Sequence, residues 1–137
     1  MSFNILLVDD SATMRSILAR SIDMAGVPVG KLFTAPNGQK GLEVMDGNWI
    51  DLVFLDINMP VMDGITMIEK MAENHDLSDV PVVVVSTEGS RIRIDRLRDR
   101  GVKGFVSKPF TPETIREVIR KVVGNWDEES SVSKDAF

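Results

Sequence analysis

The sequence predicts an α/β domain built on a doubly wound, five-stranded parallel sheet. Three observations carry this: short apolar runs alternate with amphipathic segments along the chain, the runs are continuous, and the segments between them have helical period. A continuous apolar run marks a strand buried on both faces, and parallel neighbours need long crossovers, here helical. The chain has 137 residues, is 43% hydrophobic and shows no repeat or low-complexity tract, so a single domain with its own core is expected.

The elements follow in order. NILLV (4–8) is too short for a helix and is ended by acids, which makes it the first strand. The period then changes: Met14, Ile17, Leu18, Ser21, Ile22 and Ala25 recur at helical spacing, with Ser11 as N-cap and Gly26 and Pro28 as the stop. KLFTA (31–35) is the second strand, Pro36, Asn37 and Gly38 a turn, and residues 38–46 a short helix. DLVFL (51–55) and GITMIEKMAENH repeat the pair. VPVVVVS (80–86), the most β-branched run, is expected to be the central strand. Residues 90–100 form a helix, GFVS (104–107) the last strand and TPETIREVIRKVV the last helix. There Thr111 caps, Pro112 suits the first helical position, Glu113 complements the helix dipole, and Ile115, Val118, Ile119 and Val122 face inward. Met14, Met45, Met67 and Met71 read as core filler. The domain is expected to span 1–123; the acidic, serine-rich 124–137 is expected to be flexible, with Trp126 and Phe137 as residues able to dock.

Composition removes several function classes. Sixteen Lys and Arg against twenty-one Asp and Glu give a formal charge of -5, which opposes general binding to nucleic acid or anionic membranes. Without cysteine there is no disulfide, zinc thiolate site or thiol catalysis. No apolar run approaches the roughly 20 residues that span a bilayer, and MSFNILLVDD lacks the features of a signal peptide, so a cytoplasmic protein is expected. His75, the only histidine, lies in the polar stretch ENHDLSD and reads as a solvated loop residue.

In doubly wound sheets ligands bind beyond the carboxyl ends of the strands. The residues at those ends are Asp9 and Asp10, then Asp56, then Ser86 and Thr87, then Lys108. If the first and third strands are neighbours, about 4.8 Å apart, three carboxylates converge and cannot all stay ionised without compensation. An all-oxygen cluster suits a hard divalent cation. Magnesium fits better than calcium because neither an EF-hand loop nor an all-protein cage is present. Carboxylates, magnesium, a hydroxyl and a lysine together suggest phosphoryl chemistry, with Asp56 as nucleophile, Asp9 and Asp10 as metal holders, and Ser86 and Lys108 holding phosphate oxygens.

LLVDDS, FLDINMPVMDG, VVVVSTEG and GFVSKPF, in that order, resemble the receiver domain of bacterial response regulators, most closely the stand-alone CheY-like kind, over residues 4 to 123. The resemblance implies a flavodoxin-like (βα)5 receiver fold. It also implies a phosphoacceptor at Asp56, served by a histidine kinase, and Mg2+ bound by Asp9, Asp10, Asp56 and the backbone carbonyl of Asn58. Lys108 and Ser86 would bind the phosphoryl group, with a cis bond between Lys108 and Pro109. Ser86 and Phe105 would form the switch; Phe105 stands where tyrosine is frequent and has no hydroxyl to bond. Asn58 and Glu88 occupy positions that tune dephosphorylation. With fourteen residues after Val123 no DNA-binding output domain is expected, and a protein partner such as a flagellar-motor switch component in chemotaxis becomes the expected target. A phosphorelay intermediate or a regulator of another enzyme would use the same chemistry.

The arginine-rich SRIRIDRLRDRG places Arg93, Arg96 and Arg100 on one helical face. It reads either as a solvated helix with pairs to Asp95 and Asp99 or, with Phe105, as a surface for an acidic partner peptide. Two other functions compete. A magnesium-dependent phosphatase with an aspartate nucleophile would place a second acid where Asn58 stands, and an FMN carrier would need a phosphate-cradling loop where DDSAT stands.

Overall fold

The computed structural model describes residues 2–87 and 91–126, and for residues 91–94 the backbone alone. Strands β1 (Phe3–Val8), β2 (Val29–Ala35), β3 (Leu52–Leu55), β4 (Val82–Ser86) and β5 (Gly104–Ser107) alternate with helices α1 (Ala12–Met24), α2 (Gly38–Gly47), α3 (Gly64–Glu73), α4 (Arg91–Asp99) and α5 (Pro112–Val123). All pairings are parallel and the order is β2-β1-β3-β4-β5. The order reverses between β1 and β3, which places the crevice above those two strands.

The two-sided burial read from the apolar runs holds for β1, β3 and β4, whereas the edge strand β2 exposes four of its seven residues and the edge strand β5 buries only Val106. Leu6, Val8, Val53, Leu55, Val82 and Val84 face one apolar layer, which Met45 of α2, Met67 and Met71 of α3 and Leu97 of α4 complete. Ile5, Leu7, Leu52, Phe54, Val83 and Val85 face the other, completed by Leu18 and Ile22 of α1 and Ile115 and Ile119 of α5. β3 is wholly buried and occupies the centre, where β4 had been expected. β-branched composition reports burial on both faces, which all interior strands share; the position within the sheet is set by the crossovers.

Helix starts follow their caps. The side chains of Ser11, Asn37, Asp63 and Thr111 accept N–H groups from Met14, Lys40, Thr66 and Thr114. α3 stops at Glu73, short of His75, because the Asn74 side chain accepts the Asp76 N–H at 2.9 Å and turns the chain. No helix among the described residues is long and apolar enough to cross a membrane.

Trp126 lies three residues beyond the last helix and is not loose. Its indole N–H donates to the Gly26 carbonyl at 3.1 Å, its ring meets Phe3 edge-on at 6.5 Å, and the Arg120 guanidinium stands 5.8 Å from it. An aromatic pair, a hydrogen bond and the half-buried ring together stabilise the fold by about 2 kcal/mol. Trp126→Ala is therefore expected to lower the unfolding free energy by that amount, read as a lower urea midpoint at unchanged m-value; an unmoved midpoint would contradict the docking. The rest of the tail, residues 127–137 with Phe137, lies outside the described residues.

Candidate functional site

β1 and β3 pair in register with Val8 opposite Leu55, so the residues that follow each strand emerge side by side. The Asp56 N–H donates to the Val8 carbonyl at 2.9 Å and the Asp9 N–H to the Ala35 carbonyl at 3.1 Å, which extends the ladder to both acids. Carboxylate oxygens of Asp9, Asp10 and Asp56 lie within 4.8 Å of one another. Asp9 is buried, Asp10 exposed and Asp56 between the two.

Lys108 reaches this cluster from the end of β5. Its N–H donates to the Ser86 carbonyl at 3.0 Å, and its Nζ lies 2.9 Å from Asp9 Oδ2 and 3.6 Å from Asp56 Oδ2. The bond between Lys108 and Pro109 is cis, as the resemblance implied. Ser86 is buried at the end of β4, and Asn58 is exposed in the loop after Asp56. In that loop Val61, 83% exposed, has φ 67, a conformation that costs a β-branched residue about 1–2 kcal/mol. Gly64 closes the loop against the strand: its N–H donates to the Ile57 carbonyl at 2.9 Å, and a Cβ there would meet the Asp56 carbonyl and lie 2.9 Å from the Ile57 Cα.

One contributor was not foreseen. The Arg15 guanidinium donates to the backbone carbonyl of Asp9 and thereby braces the acid that Lys108 holds by its side chain. Long helical side chains lean toward the helix N-terminus, so an arginine one turn into α1 can reach back to the strand end; that lean was the available signal. The Asp9 carboxylate also accepts the Ser11 N–H at 2.9 Å.

Burial of Asp56 is the leading cause that raises its pKa above the ordinary carboxylate value, with Asp9 and Asp10 adding to it and Lys108 and the Ile57 N–H opposing. A carboxyl raised in the fold contributes stability that is fully present below its unfolded pKa and lost as pH rises through its folded pKa. Asp56→Asn keeps the acceptor for the Ile57 N–H and removes the buried charge. In metal-free buffer the variant is expected to melt above the wild type at neutral pH, the gap narrowing as pH falls through the raised folded pKa and closed below about 4. Equal melting temperatures at neutral pH would show that the carboxylate is not disfavoured.

The donor set fits a hard cation. Three carboxylates supply only oxygen, two of them from rigid strand ends, and a single lysine offsets part of their charge. Asp9, Asp10, Asp56 and the Asn58 carbonyl are the residues available to hold it.

Elsewhere the candidates divide. Phe105 is half-buried against the apolar layer beneath α2, α3 and α4. Arg96 is exposed. Arg98 pairs with Asp95 at 3.9 Å, but Arg100 bonds Glu69 of α3 at 2.6 Å and not an acid of its own helix, because α4 ends at Asp99 and the chain turns at Gly101 with φ 93. Glu88 and the side chain of Arg93 lie outside the described residues.

Comparison with known proteins agrees with this geometry. The chain is 31% identical over 124 residues to the chemotaxis protein CheY1 of Helicobacter pylori, an alignment that covers 90% of this chain and 98% of that protein. It is 31% identical over 121 residues to the chemotaxis protein CheY-3 of Vibrio cholerae, covering 88% and 92%. Among solved structures, Vibrio cholerae CheY4 superposes with a TM-score of 0.80 at 27% identity, covering 89% of this chain and 99% of that one. A CheY chain in a CheX-CheY-BeF3-Mg complex from Borrelia burgdorferi superposes with a TM-score of 0.79 at 28% identity, covering 86% and 87%. Residues 5–120 match the profile of the response regulator receiver domain, so the chain belongs to that family, the receivers of two-component signalling.

Proposed function

We propose that Asp56 is the phosphoacceptor of this receiver and that a histidine kinase is its donor. The observation that carries the reading is the Asp56 carboxylate, fixed at the rim of β3 with the Lys108 ammonium 3.6 Å from its Oδ2 and two further acids beside it. A carboxylate oxygen of Asp56 attacks phosphorus, an O–P bond forms as the N–P bond of the phosphohistidine breaks, and the imidazole leaves with a proton. Lys108 turns from the carboxylates to a phosphoryl oxygen, and the Ser86 hydroxyl donates to another. Asp9, Asp10, Asp56 and the Asn58 carbonyl would hold magnesium, which when bound would supply the positive charge that lets two anions approach.

Ser86 and Phe105 form the switch, through the strand pair β4 and β5 that carries both. Phe105 has no hydroxyl, so it signals by burial alone. Asn58 and Glu88 set access of water to the acyl phosphate. The output is a change in affinity for a protein partner; the names of the relatives favour chemotaxis, and a flagellar-motor switch component that meets Arg93, Arg96, Arg100 and Phe105 is the partner this setting suggests. A phosphorelay intermediate would use the same site with a different recipient.

The test is incubation with magnesium and a small acyl-phosphate donor, followed by intact mass under rapid quench. A magnesium-dependent phosphoryl adduct in the wild type that disappears in Asp56→Asn is expected. An equal adduct in the variant would move the acceptor elsewhere.

A further inference from the structure

At the end of the sheet opposite the acidic cluster, an open groove of about 610 Å³ runs between the end of α2, the loop into β3 and the loop from α3 into β4. Ile50, Leu77 and Val80 give it an apolar lining, and Trp49 lines it while remaining 78% exposed. Asp46, Asp51, Asp76 and Asp79 also line it, and among the described residues no lysine or arginine does. We propose that this groove docks a basic segment of a partner protein, an arginine or lysine lying over the Trp49 indole while a neighbouring apolar side chain enters the groove.

Trp49 is held in place. Its indole N–H donates to Asp51 Oδ1 at 2.8 Å, the other Asp51 oxygen accepts the Asn4 N–H at 2.8 Å, and the Asn4 side-chain amide donates to the Trp49 carbonyl at 2.9 Å. A large exposed aromatic that is already oriented loses little entropy when a partner covers it, which is the condition for an interface anchor. Water gains nothing from a fixed indole. A cation gains the face of the ring together with the surrounding carboxylates.

Charge selects the occupant. The Asp51 carboxylate is engaged by two N–H donors, whereas none of the ion pairs among the described residues involves Asp46, Asp76 or Asp79. In a chain of formal charge -5 these acids repel an acidic peptide, a nucleic acid or an anionic membrane and attract a cationic segment. The apolar lining adds a demand that a polar basic peptide does not meet.

The groove lies at the start of β3, and Asp56 just past its end, about 16 Å away over the five residue steps from Asp51 to Asp56. A partner held there leaves the acidic cluster open to a phosphoryl donor. It therefore tethers the receiver without reading its phosphorylation, a role separate from the switch surface.

The test uses a fluorescein-labelled peptide of alternating arginine and leucine, with magnesium present at physiological salt, followed by anisotropy. Binding is expected for that peptide and not for its glutamate-leucine or arginine-serine counterparts. Trp49→Ala and the double variant Asp46→Asn/Asp79→Asn should each weaken binding at least about fivefold, whereas Asp23→Asn/Glu43→Gln, which removes equal charge elsewhere, should change it less than about twofold. Urea midpoints confirm that each variant is folded, and phosphoryl uptake by Trp49→Ala should match the wild type, so this proposal and the phosphoacceptor reading fail separately. The proposal is overturned if the control variant weakens binding as much, if the arginine-serine peptide binds equally, or if amide shifts centre on Asp10 and Asp56. It is also overturned if Asp46→Asn/Asp79→Asn abolishes self-association of the chain, because a second copy would then be the occupant.

Discussion

Lys108→Met is expected to destabilise the metal-free protein by about 3 kcal/mol at neutral pH and to abolish phosphoryl uptake, because it leaves a buried acid without its partner. Lys108 and Asp9 side chains are only 13% and 6% exposed, and the pair closes at 2.9 Å. Without the ammonium, Asp9 and Asp56 face each other across the crevice with no cation between them. The loss should therefore shrink when Asp9→Asn is added, because the variant then no longer holds the buried charge that Lys108 faces in the wild type, and it should shrink as pH falls and the Asp56 carboxyl, whose pKa burial raises, protonates. Urea unfolding of the single and double variants at neutral and acidic pH measures both recoveries. A single variant as stable as the wild type at neutral pH would show that solvent already screens the pair.

Gly64→Ala is the second large effect. The Cβ it adds would press on the Asp56 carbonyl and lie 2.9 Å from the Ile57 Cα, all backbone atoms that cannot rotate aside. Overpacking of this kind costs about 2–3 kcal/mol, and the relief lies in moving the strand end that carries Asp56. Misplacement of the proposed phosphoacceptor carboxylate by a fraction of an ångström to one ångström is expected to lower the uptake rate by about 10–100-fold. Gly47→Ala is the control: a Cβ there meets nothing within 4 Å, and alanine is the better helix former, so stability should hold or rise by up to about 1 kcal/mol. Single-turnover phosphorylation beside urea unfolding separates the two effects. A Gly64→Ala protein with wild-type rate would mean that the loop gives way and the strand end does not.

The magnitudes order the contributions to the site. Lys108 supplies compensation for the acids, Gly64 supplies their position, and Arg15 and the Ser11 N–H hold the Asp9 backbone and carboxylate respectively. Val61 represents a local cost of the same loop, tolerated because Gly64 and Asp63 fix the helix that follows.

The sequence by itself determined the alternation of five strands and five helices, the burial of β1, β3 and β4 on both faces, and the set of residues that closes each strand. Those are local properties: apolar runs, helical period, caps at Ser11 and Thr111, and turn residues such as Gly26 and Pro28 act within a few residues of where they stand. Tertiary structure decided what depends on pairing. β3 and not β4 holds the centre, Lys108 chooses Asp9 over Asp56 as its nearer partner, Arg100 finds Glu69 and not an acid of its own helix, and Trp126 closes against Phe3 and Gly26. Each of these joins residues far apart in the chain, where neither spacing nor propensity carries a signal. The acids were legible because strand ends are local, and their convergence became a site only when β1 and β3 were laid side by side.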